Sequence, residues 1–173
     1  MNNRGAYILF FAVVAMLQIF LLNNLTVSVR FAPMVYVVCL VMLPLEISQM
    51  RILLVGLLLG VLMDVTMGVN GLNVVATLPV AFFRRPILHF VAGFSDLAKA
   101  DGVPSPERLG SYRFHRYVVS MVVLHSMLFF GFEWLSFDNF GFFLTRLLCS
   151  TASSLALDYL LIFLFMPKLS PKS

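Results

Sequence analysis

The sequence predicts an all-α integral membrane protein: a single domain over 1–173, with about six transmembrane helices and both termini in the cytoplasm. Three observations carry that expectation. They are an excess of apolar residues, their gathering into long runs, and a one-sided distribution of Lys and Arg. Of 173 residues, 61% are hydrophobic and 12% charged, and the mean hydropathy is +0.97. A soluble domain is nearer half apolar and a quarter charged. The excess fits a chain whose outer surface, as well as its core, meets hydrocarbon. The net charge of +4 sits in short clusters between apolar runs. That is the pattern of membrane-flanking anchors, not of a nucleic-acid-binding face.

Residues 6–22 form the first span. Arg4 precedes it as in a secretory signal, but Asn23, Asn24, Leu25 and Thr26 follow instead of a small-residue cleavage site, so the reading is an uncleaved helix. The second span, 31–45, is short and carries Pro33 and Pro44, so it must begin before Arg30 or tilt little. The third and fourth spans are 52–71 and 72–83. The apolar run between Arg51 and Asp64 gives only about 18 Å of helix, against roughly 30 Å of hydrocarbon. Two full spans and one re-entrant hairpin opening to the cytoplasm both satisfy the charge pattern. Two full spans are preferred, because a lipid-exposed turn inside the bilayer is excluded.

A cytoplasmic loop over 84–116 comes next. Within it, Ile87, Leu88, Phe90, Val91, Phe94 and Leu97 are spaced for a helix lying on the membrane surface. Gly102, Val103 and Pro104 break the chain, and Ser105, Pro106 and Glu107 open a new helix. Residues 117–135 and 141–166 are the fifth and sixth spans, the last long enough to tilt. With the N-terminus inside, the cytoplasmic segments hold Arg4, Arg51, Arg84, Arg85, Lys99, Arg108, Arg113, Arg116, Lys168 and Lys172, and the outer loops only Arg30. That asymmetry sets the orientation. The aromatic cluster from Phe129 to Phe143, with Trp134 and Phe137, reads as an outer interfacial belt.

The polar residues inside apolar runs are the candidates for function. Gly56, Gly60, Asp64 and Gly68 recur every four residues, a stripe that winds slowly across one helix face. The first two suit close approach of a neighbouring helix, within the bundle in preference to a dimer. Asp64 opens a turn-like stretch through Gly71 and has two readings, a binding or coupling site, or a cap for the next helix. Asp158 lies near mid-span and needs a partner from another helix, or a proton. Arg146, twelve residues earlier and about 18 Å away along one helix, cannot pair with it, and reads as a snorkelling side chain. Gln18 and His125 read as interhelical hydrogen-bonding groups. Cys39 and Cys149 have no partner at metal-ligand spacing and read as small buried hydrophobes. The sequence contains no GxSxG, HExxH or Walker motif, so neither catalysis nor a cofactor is expected.

The stretch Gly56-Leu57-Leu58-Leu59-Gly60-Val61-Leu62-Met63-Asp64, followed by Gly68, Gly71 and the apolar 72–83, resembles the rod shape-determining protein MreD family. Gln18 near Leu21 and Leu22, and Pro33 opening the second span, are similar as well. The resemblance covers most of 6–88 and is weaker over 117–166. Met34 after Pro33, and the length of 84–116, depart from the family's pattern. The resemblance implies a non-enzymatic scaffold of the cell-elongation machinery in the bacterial inner membrane. It would work with an MreC-like bitopic protein, an MreB-like actin homologue, and a RodA-type glycosyltransferase with its penicillin-binding transpeptidase. The family's fold is also similar to the vitamin-binding S components of energy-coupling-factor transporters. That likeness implies an S-component-like bundle and a second reading, a small-molecule-binding transporter subunit.

Overall fold

A computed structural model describes residues 4–23, 32–93, 102–135 and 140–169. The described residues are helical or irregular, with no strand among them. Helix α1 (Arg4–Met16) widens into a π-helical stretch, Leu17–Leu22. A short α2 (Val37–Val41) follows, then α3 (Gln49–Met67) and α4 (Leu72–Ala92). The four-residue α5 (Pro106–Leu109) leads into α6 (Ser111–Trp134), and α7 (Phe140–Leu169) completes the chain. Among the described residues, five stretches are long and apolar enough to cross a membrane: Gly5–Leu22, α3, α4, α6 and α7. The protein is therefore a multi-pass membrane protein with an all-α fold.

The expected helix over 31–45 is not there. From Pro33 to Leu43 every residue is buried, yet only the five residues of α2 are helical. Pro33 and Pro44 bracket a run too short to cross as a helix, so the chain threads the bundle interior partly extended. Leu22, Asn23 and Pro33 stand with Met67, Glu133 and Arg146 around one cavity, which places the end of α1 beside the ends of α3 and α6 and the start of α7. At the other end, Leu45 N–H donates to Gly102 O at 2.8 Å. Residues 32–45 thus traverse the bundle, and the described chain begins and finishes at the same end. Irregular backbone at membrane depth is tolerated only where protein covers it, and here α1, α3, α4, α6 and α7 provide the cover.

Two boundaries also move. Helix α4 continues through Pro86 to Ala92, beyond the expected end at 83, and α6 begins at Ser111, before the expected 117. Pro86 has no N–H for the Phe82 carbonyl; Gln49 Nε2 donates to that carbonyl at 3.2 Å and to Ala81 O at 3.3 Å. The surface helix expected over 87–98 is, as far as Ala92, simply the end of α4, and 94–98 lie outside the described residues. So do Arg30, Lys99, Phe137 and Lys172.

Candidate functional site: a polar interior that holds the central segment

Helices α3 and α4 form a tight antiparallel hairpin. A Cβ on Gly60 would sit 2.8 Å from Val74 Cα, and one on Gly56 2.7 Å from Ala81 Cβ, so the glycine pair serves packing within the bundle. The turn between the helices needs left-handed backbone, with φ of +67° at Gly68 and +83° at Gly71, which only glycine adopts cheaply. Gly71 stands at the N-cap of α4 with no side chain to offer, and Asp64 supplies the missing acceptor from α3. Its Oδ1 accepts from Asn73 N–H at 2.8 Å and from Asn73 Nδ2 at 3.0 Å, and its Oδ2 accepts from Val74 N–H at 3.1 Å. Those backbone groups are among the orphan donors of the first helical turn, and a carboxylate there also meets the positive end of the helix dipole. Of its two sequence readings, the cap is the one whose contacts are present.

From Asn73 the network runs inward. Tyr36, in the central segment, donates its hydroxyl to Asn73 Oδ1 at 3.0 Å. Its oxygen also lies 3.2 Å from Thr77 Oγ1 and 2.7 Å from His125 Nε2. A phenol has one proton to give, so His125 Nε2 and Thr77 donate to it. Asn73, Tyr36, Thr77 and His125 are all at most 1% exposed, and each has a partner.

Two further clusters hold the same segment. Near its start, Gln18 Oε1 accepts from Val35 N–H at 2.8 Å while its Nε2 donates to Pro33 O at 3.2 Å. Ser150 Oγ accepts from Ala32 N–H at 3.0 Å, and Ser154 Oγ from Met34 N–H at 2.8 Å. Near its end, Arg84 is fully buried. Its Nε donates to Leu40 O at 2.9 Å and its Nη2 to Leu43 O. Tyr117 OH donates to Val41 O at 3.0 Å. A guanidinium is thus placed at the negative dipole end of α2 and on the irregular turn that follows it. Arg84 was expected in the cytoplasmic loop; the carbonyls at and after the end of a helix five residues long draw it into the interior instead.

Asp158 contrasts with Asp64. It is fully buried on α7, and neither carboxyl oxygen has a hydrogen-bond partner among the described residues. Asp158 and Asp64 do not come together. Arg146, expected to snorkel, instead pairs with Glu133 at 2.9 Å across the α6–α7 hairpin. Beside it Trp134 lies against Phe143, the rings tilted by 34° with centroids 5.3 Å apart, in the stretch expected as an aromatic belt. Cys39 is buried, whereas Cys149 is exposed on the outer surface of α7, against its reading as buried. Among the described residues, no three of His, Cys, Asp and Glu converge as a metal site.

Sequence reasoning missed Tyr36, Asn73, Thr77, Arg84 and Tyr117. The available signal was their occurrence as hydrogen-bonding groups inside apolar runs, each of which must find a partner in hydrocarbon. A cavity of about 320 Å³ at the α3–α4 turn end of the bundle has Gln18, Asn23, Thr66, Glu133 and Arg146 on its walls, and not Asp64. No family model, no curated protein and no solved structure matches the chain.

Proposed function

We propose that this protein is a non-enzymatic membrane scaffold, similar to the MreD family, that helps position peptidoglycan synthesis by the cell-elongation machinery of the bacterial inner membrane. The observation that carries the reading is how the interior polar groups are used. Asp64, Gln18, Arg84, Tyr36 and His125 are engaged with backbone or with one another, as suits a rigid body that presents outer helix faces to partners. The glycine pair and turn that carry the family resemblance are the residues on which the α3–α4 hairpin depends.

The partners in this reading are an MreC-like bitopic protein, an MreB-like actin homologue, and a RodA-type glycosyltransferase with its transpeptidase. The end holding the start of α1 faces the cytoplasm. In support, Arg51, Arg85, Arg108, Arg113, Arg116 and Lys168 stand in helix turns at that end, and Arg146 is at the other. Depletion is expected to round rod-shaped cells, and partner recovery should need no added small molecule. Reporter fusions at Gly102 and Ser173 should both read as cytoplasmic.

The polar outer cavity favours one rival, a small-molecule-binding transporter subunit. Its size lies at the low end of ordinary ligand sites. Cells that keep their shape on depletion but lose uptake of a vitamin would decide for that rival.

A further inference from the structure

Five parts of the chain meet around the cavity at the α3–α4 turn end: the π-helical stretch, the start of the central segment, and helices α3, α6 and α7. A π-helical turn is rare, and inside α-helices it tends to mark functional positions. Here it brings Gln18 and Asn23, both on the cavity wall, into contact. Gln18 Nε2 donates to Asn23 Oδ1 at 2.8 Å. Gln18 is 1% exposed and is bonded to Pro33 and Val35 as well. That wall is therefore fixed before any ligand arrives. Another part of the wall carries the Arg146–Glu133 ion pair, whose side chains are only 18% and 23% exposed. A guanidinium has five N–H donors and a carboxylate about four acceptor positions. Their mutual bond uses a small part of either group's capacity.

The wall's own chemistry selects a ligand class. The charges of Glu133 and Arg146 sum to zero, so a ligand with a net charge would bring an uncompensated charge into a partly buried site. The two charges are also adjacent, 2.9 Å apart, and call for opposite charges on neighbouring atoms of the ligand. An α-amino acid zwitterion has that form. Met34, Met67 and Phe129 make other parts of the wall apolar, which suits an apolar side chain. We infer that this cavity binds a free α-amino acid with an apolar side chain, its ammonium on Glu133 and its carboxylate on Arg146. The volume, about 320 Å³, is at the small end of ligand sites and suits a molecule of that size. The inference goes beyond the scaffold reading. It concerns binding by the purified chain, whereas that reading stands or falls on cell shape.

The test titrates the full chain in lipid nanodiscs with L-leucine, L-methionine and L-phenylalanine. Trp134, the only tryptophan in the chain, shares a small hollow with Glu133 and Arg146, so its fluorescence reports on the pair. Equilibrium dialysis with the labelled amino acid measures affinity independently. Saturable binding of at least one of the three is expected. Its two single-charge analogues, the amine without the carboxylate and the acid without the ammonium, should each bind about ten-fold more weakly, as loss of one charged hydrogen bond implies. Glucose, polar but uncharged, should not compete. Glu133→Gln should weaken the amino acid and the amine roughly ten-fold and leave the acid bound as well or better; Arg146→Gln should do the reverse. The wild-type panel needs no substitution, so it decides even where a variant fails to fold. No saturable binding of any of the three, or equal binding by a single-charge analogue or by glucose, would overturn the inference.

Discussion

Asp64 and Asp158 look alike in sequence, each a lone acid in an apolar run, and the fold treats them in opposite ways. Asp64 accepts three hydrogen bonds from the first turn of the next helix. Asp158 is buried as deeply and accepts none among the described residues. The difference follows from what each acid faces. Asp64 ends a helix whose successor returns at once through a glycine turn, so orphan N–H groups arrive at its carboxylate. Asp158 lies inside a thirty-residue helix, where neighbouring backbone donors are already used by the helix itself. Burial alone therefore says little about a polar residue's role; the supply of orphan backbone groups nearby decides it.

Arg84 belongs with Asp64 on the engaged side of this comparison, through its Nε and Nη2, and gives its largest expected effect. Arg84→Met keeps much of the side-chain volume but removes the charged donors to the carbonyls of Leu40 and Leu43. Loss of charged hydrogen bonds in a buried site should cost about 3–5 kcal/mol, read as a fall in unfolding free energy in detergent or bicelles. Asp64→Asn comes next, at about 3 kcal/mol. The amide keeps one acceptor oxygen, and its NH2 must face an N–H group that a carboxylate oxygen now accepts. A silent Asp64→Asn would mean that the cap geometry is wrong.

Gly60→Ala tests the hairpin on which Asp64 depends. The new methyl meets backbone at Val74, which cannot rotate aside, so a loss of about 2 kcal/mol is expected. Asp158→Asn should be the mildest, within about 1 kcal/mol, because no hydrogen bond is lost. A large loss at Asp158 would reveal a partner for it and erase the contrast.

Much of the helical architecture was legible because hydropathy and Lys/Arg asymmetry report directly on solvation. The glycine pair was legible too, since small residues four apart have few other uses in an apolar helix. The path of 32–45 was not. An apolar run bounded by prolines has the same composition whether it crosses as a lipid-facing helix or threads a bundle. The distinction depends on Ser150 and Ser154, more than a hundred residues away, and on Arg84. That arginine read as a loop anchor because Arg85 and Pro86 stand beside it. The buried network around Tyr36 was hidden for the same reason: its members come from 32–45, α4 and α6, and only the fold brings them together.

The central claim is that side chains from the π-helical stretch after α1 and from α7 hold the non-helical start of the segment 32–45. Amide hydrogen exchange over 32–36, compared between wild type and Ser154→Ala in the same lipid, tests it most directly. The account predicts slow exchange at Met34 in the wild type and clearly faster exchange in Ser154→Ala, because Ser154 Oγ is the acceptor for that N–H. Unchanged protection at Met34 would contradict it, since a continuous helix through 31–45 keeps that amide bonded to its own backbone whatever stands at 154.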